Sequence, residues 1–153
     1  MAGNDQRRIF ERVISLLKSG DLEQAESLCR EQLLEDPREV NFLSFLGFIL
    51  WRKNDFERSE KIMRTVVQIA PEYPNAQEDL GTVLMNLKKW EEALPFLQEA
   101  IKSKPNSAGA FFKLGGALKS LGRHEAGDAA LAHAAKLSPM QANLEKATKL
   151  FAE

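Results

Sequence analysis

The sequence predicts an all-α fold, a tandem array of helix–turn–helix units, and three observations carry that prediction. Prolines stand at Pro37, Pro71, Pro105 and Pro139, each 34 residues after the last. A fixed spacing within roughly 20–50 residues marks a repeat array. A Leu-Gly pair recurs in the same register as Leu46-Gly47, Leu80-Gly81 and Leu114-Gly115. Between these landmarks the apolar residues follow helical spacing: Leu80, Val83, Leu84 and Leu87 fall at i, i+3, i+4 and i+7, one face of a helix. With the prolines placed at position 32, the repeats cover residues 6–39, 40–73, 74–107 and 108–141.

The first repeat is the least regular, carrying Arg12-Val13 where the others have Leu-Gly, as a terminal unit of an array can. Gly20-Asp21 is its turn, and Asp21 with Gln24 has the pattern of a helix N-cap and its capping-box partner. The second helix follows, with the small Ala25 at position 20 and Cys29 at position 24. In the second repeat Leu46, Gly47 and Leu50 mark the first helix, Asn54-Asp55 the turn, and Ser59, Met63 and Val66 the second helix. Pro74 suits the first helical position of the third repeat. Its second helix begins near Trp90 and carries Ala93, Phe96, Leu97, Ala100 and Ile101 at helical spacing. Pro95 inside it removes a hydrogen bond to the Glu91 carbonyl, which predicts a bend rather than a break. The fourth repeat has Leu114-Gly115, Leu118, a turn at Gly122, then Gly127, Leu131 and Ala134. Small residues at positions 8 and 20 allow the two helices of a unit to approach closely. Glu23, Glu57, Glu91 and Glu125 recur at position 18, where an acid favours a helix N-terminus. Beyond Pro139, Leu144, Ala147 and Phe151 predict a ninth helix over residues 141–151. It is expected to cap the array, or else to open a further repeat.

Composition bounds the rest. The chain has 153 residues, 44% hydrophobic and 28% charged, with a net charge of −1. That balance fits one folded domain over residues 1–153 rather than a disordered chain. No basic stripe invites nucleic acid, and no apolar run approaches the ~18 residues of a membrane span. The single Cys29 permits no internal disulfide, which points to a reducing, cytoplasmic setting.

The residues at positions 7, 8, 11, 20, 24, 27 and 32 resemble the tetratricopeptide repeat family, a 34-residue helix–turn–helix. Position 11 reads Leu16, Leu50, Leu84 and Leu118, position 20 is always small, and position 32 is always proline. Position 4 departs from the family's usual Trp, reading Ile9, Leu43, Gln77 and Phe111. The resemblance implies a right-handed α-solenoid whose concave groove is lined by the first helices at positions 2, 5, 6, 9, 12 and 13. Those positions include Asn41, Ser44, Arg52, Glu78 and Lys119. They also include Phe10, Phe45, Phe48, Trp51, Met85 and Phe112, more apolar bulk than packing requires, with Asp79 and Lys113 as charged neighbours. An exposed apolar patch marks an interaction site. The expectation is therefore a non-enzymatic scaffold, monomeric or weakly dimeric, holding a peptide or helical segment of a partner protein. The carboxylate clamp of heat-shock co-chaperones is not expected, because its Lys and Asn positions are not matched here. Two alternatives stay open: the N-terminal repeat module of a longer enzyme of the sulfotransferase or glycosyltransferase kind, and a secretion-system chaperone.

Catalytic and cofactor signals are weak. One Cys and two His do not assemble a usual zinc site, so no cofactor is expected. Cys29 falls on a core position and reads as an inert thiol. His124 takes the place of Leu22, Phe56 and Trp90 at position 17 and reads as a packing residue. Leu114-Gly115-Gly116-Ala117 lies inside a helix and lacks the Lys-Ser/Thr pair of a phosphate loop.

Overall fold

The computed structural model describes residues 2–138. Pro139 and the helix expected over 141–151 lie outside the described residues. Among the described residues are eight α-helices and no strand: α1 Ala2–Ser19, α2 Leu22–Glu35, α3 Val40–Arg52, α4 Phe56–Ile69, α5 Ala76–Asn86, α6 Trp90–Ser103, α7 Ala108–Ser120 and α8 His124–Leu137. The second helices begin at Leu22, Phe56, Trp90 and His124 and end at Glu35, Ile69, Ser103 and Leu137, each 34 residues after its predecessor. The proline register thus sets both ends of every second helix.

The turn inside each unit is one device used four times. Position 15 is left-handed in all four repeats, at Gly20 (φ 82°), Asn54 (61°), Lys88 (59°) and Gly122 (79°). The next residue's N–H reaches back to the position-11 leucine carbonyl, at 2.9 Å in each case: Asp21 to Leu16, Asp55 to Leu50, Lys89 to Leu84 and Arg123 to Leu118. This is the Schellman closure, which satisfies carbonyls left unpaired at a helix end. Asp21 and Asp55 then cap the following helix, accepting from the N–H of Gln24 at 3.1 Å and of Arg58 at 3.3 Å. Lys89 and Arg123 occupy the same place in the later repeats and make no side-chain cap.

The sequence expectation is corrected at Pro74. It is not the first residue of α5, which starts at Ala76. The Ala76 N–H donates to the Tyr73 carbonyl at 3.1 Å, and Asn75 has φ 66°. Proline then asparagine, the latter left-handed, suits the central pair of a type II turn, and that turn delays the helix. α6 runs through Pro95 without a break.

The described residues form two compact units, divided between Val83 and Leu84. In the first, Val13 and Leu16 of α1, Ala25 and Cys29 of α2, and Phe42, Leu46, Ile49 and Leu50 of α3 make one buried cluster. A second joins Leu43, Val66 and Ala76. Burying a side chain the size of Phe42 or Ile49 contributes about 1.5–3 kcal/mol. Ser59 stands at position 20 where the other repeats have Ala or Gly; it is fully buried, and its Oγ donates to the Gly47 carbonyl at 2.7 Å. In the second unit the core is finer grained: Leu84, Leu94 and Leu97 with Ala93, Ala100, Ala110, Ala117, Ala130 and Ala134. There the glycines bring backbones together. A Cβ on Gly115 would stand 3.0 Å from the Gly127 carbonyl, and one on Gly127 would stand 3.0 Å from that of Gly115.

Candidate protein-interaction face

α3 is apolar nearly all round, so the core cannot use all of it. Phe42, Leu46, Ile49 and Leu50 point inward, and the residues left over lie on the opposite side at helical spacing. Phe45 and Phe10 of α1 are half-buried, their ring centroids 5.0 Å apart, and both rest against the core cluster. These two aromatics therefore help join α1 to α3. Phe48 is different. It is 39% exposed, beside the half-buried Trp51 at 5.9 Å between centroids. The Arg52 guanidinium carbon lies 5.8 Å from the Phe48 ring centre, within cation–π range.

The N-terminal end of the same helix is polar. Glu39 caps α3 by accepting from the Phe42 N–H at 3.0 Å, and its other oxygen accepts from Asn41 Nδ2 at 2.9 Å. The Tyr73 hydroxyl donates to Asn41 Oδ1 at 2.9 Å. Burial pushes the Tyr73 phenol above its ordinary value; a hydrogen bond with Ser44 opposes this, and the charges of Glu39 and Asp79 add to it. Asp79, half-buried on α5, therefore belongs to this polar end. A surface depression of about 290 Å³ nearby is lined in part by Arg7, Phe10, Glu39 and Asn41.

The C-terminal end of α3 is fixed by Lys53. Its Nζ lies 2.8 Å from Glu23 and 2.7 Å from Glu26, both in α2. The Lys53 hydrogen bond holds the Glu26 carboxyl below its ordinary value, burial opposes this, and Arg30 assists.

In the second unit Phe112 of α7 is 38% exposed and Lys113 is half-buried. Met85 is also half-buried. Its methyl lies 3.5 Å from where a Cβ on Gly116 would stand, so the thioether packs over α7. Lys119 Nζ pairs with Asp128 of α8 at 2.8 Å. Arg123 pairs with the position-18 acid Glu91 at 3.1 Å.

Of the residues considered for chemistry, Cys29 is fully buried and burial pushes its thiol up to about 12, far from a reactive thiolate. His124 is a correction. It is exposed at the first position of α8, whereas Leu22, Phe56 and Trp90 are half-buried at the first position of theirs. His133 stands edge-on to Phe111 at 4.3 Å. Tyr73 and Glu39 were not found from the sequence as part of this face. Tyr73 reaches Asn41 from the other end of the same repeat and Glu39 stands at the end of the repeat before α3, and the repeat pattern gives no signal for such pairs.

Helix pairs in tandem, with bulky apolar side chains left outside the core, define a helical-repeat scaffold for protein interaction. Family models described as tetratricopeptide repeat match residues 16–80, 50–108 and 108–139. The chain belongs to the tetratricopeptide repeat family, whose members bind protein or peptide partners and are in general not catalytic. No curated protein matches. Among solved structures, MamA 41-end from Desulfovibrio magneticus RS-1 is 25% identical at a TM-score of 0.81, over 87% of this chain and 75% of that one. MamA AMB-1 is 22% identical at 0.76, over 85% and 76%. YrrB, described as a TPR protein with an unusual peptide-binding site, is 22% identical at 0.77, over 86% and 68%. These likenesses support the all-α helical-repeat solenoid expected from the sequence. Among the described residues no helix is long and apolar enough to cross a membrane.

Proposed function

We propose that this chain is a non-enzymatic scaffold that holds a peptide or helical segment of a partner protein on its first-helix faces. In the first unit the face comprises Phe10, Phe45, Phe48 and Trp51, with Asp79 at its polar end. In the second it comprises Met85, Phe112 and Lys113. The observation that carries the reading is the exposure of Phe48 and Phe112, at 39% and 38%. Both stand on first helices whose buried positions are already filled. Large aromatic side chains are the usual energetic anchors of protein interfaces, and an apolar helix face with a polar end suits an apolar segment flanked by polar groups. Leu34 is more exposed, at 84%, but it is the sole large apolar residue exposed on α2, and isolated apolar residues on a surface are ordinary.

Phe48→Ala with Phe112→Ala tests the proposal. Both side chains are partly outside, so the fold is expected to survive, as checked by circular dichroism. Binding of a segment captured by the native chain is expected to weaken by about 2 kcal/mol or more. Undiminished binding by the folded double variant excludes these faces.

A further inference from the structure

We infer that the face of the first unit selects an acidic–apolar segment, with apolar side chains against Phe48 and Trp51 and a carboxylate between Lys18 and Arg52. The inference rests on the reading that this face is where a partner binds, and it adds the partner's chemistry.

Lys18 lies in the last turn of α1 and Arg52 in the last turn of α3. The ion pairs of Lys53 with Glu23 and Glu26 place the end of α3 beside the start of α2. The start of α2 is also where α1 ends, across the turn at Gly20. The two cations therefore stand at the same end of the face. Both are exposed, and among the described residues neither has a carboxylate partner, whereas the adjacent Lys53 has two. Each cation also complements the partial negative charge of its helix C-terminus. Arg52 is held over the Phe48 ring, so its fork of donors borders the apolar patch instead of waving in solvent, and a planar guanidinium so held suits a carboxylate. At this end of the face a basic segment meets like charge, which disfavours it.

The test uses a random peptide library displayed on phage, selected against the whole chain, with selected peptides then synthesised and titrated by fluorescence anisotropy. Enrichment of Asp or Glu next to apolar residues is expected. The double variant Lys18→Glu, Arg52→Glu is expected to weaken binding about tenfold. Raising salt to about 1 M, where screening acts beyond ~3 Å, is expected to weaken the native complex likewise. Peptides that lose binding with Phe48→Ala, yet show no acidic enrichment and ignore the charge reversal, overturn the acidic requirement and leave the face reading standing. Peptides indifferent to Phe48→Ala, or a library that yields no binder, overturn both. Vesicles of phosphatidylserine and phosphatidylcholine form the second arm. Binding there that depends on Lys18 and Arg52, without charge-dependent peptide binding, assigns the cations to a membrane surface and overturns the inference.

Discussion

Gly115 and Gly116 are neighbours in sequence and opposite in consequence. A methyl on Gly115 meets the Gly127 carbonyl at 3.0 Å and the Leu131 side chain at 2.7 Å. The carbonyl belongs to the α8 backbone and cannot step aside without moving the helix. Overpacking of this kind costs about 1–3 kcal/mol, more than the ~1 kcal/mol that alanine gains over glycine in a helix. Gly115→Ala is therefore expected to lower stability by about 1–2 kcal/mol in urea unfolding. On Gly116 the nearest atom is the Met85 methyl at 3.5 Å, an ordinary contact. Gly116→Ala is expected to raise stability by about 0.5–1 kcal/mol, because only the propensity gain remains. The register already separates them, since Gly115 stands at position 8, where small residues let the helices of a unit approach, and Gly116 stands one position on.

Two devices act between elements. The left-handed position of each turn is taken by Gly twice, by Asn once and by Lys88 once. A lysine there pays the steric cost that glycine avoids, so Lys88→Gly is expected to stabilise by about 0.5–1 kcal/mol, read as a higher urea midpoint with an unchanged slope. The ion pairs of Lys53 tie α3 to α2, and their pH dependence has a definite sign. The Glu26 carboxyl in the folded chain lies below its ordinary value of 4.5. Its stabilisation is therefore present above that value and lost as pH falls through the lower, folded one. Lys53→Met is expected to destabilise at about pH 7, and the gap from the native chain is expected to narrow near pH 2–3, where carboxylates are protonated. A gap that stays constant assigns the loss to the lysine's aliphatic stem. The second helices, the cap at Asp21, the turn at Asn54-Asp55 and the acids at position 18 are all readable in the sequence, because each rests on a local or strictly periodic cue. The start of α5, the strained turn at Lys88 and the link from Tyr73 to Asn41 are not. The first depends on a turn conformation outside the repeat pattern, the second falls at the repeat's left-handed position but on a residue that is not a turn former, and the last spans 32 residues. The aromatic surplus on α3 is also legible, but its division into Phe45, which packs, and Phe48, which is exposed, depends on the neighbouring α1.

At the scale of the molecule, the chain has one cysteine in 153 residues, and Cys29 lies in the cluster that joins the first three helices. Its thiol is fully covered and held at about 12, so in the closed structure it cannot attack a disulfide reagent. Modification must wait for the first unit to open, and when reclosing is fast its rate follows the equilibrium of that opening. Ile49→Val, which removes a methyl from the same cluster, costs about 1 kcal/mol and is expected to speed modification by an aromatic disulfide about fivefold. A change confined to the second unit, such as Gly115→Ala, tests whether opening of one unit is felt in the other. The sealed thiol thus acts as a built-in clock: without any added label, the colour released by one reagent times how often the first repeats come apart.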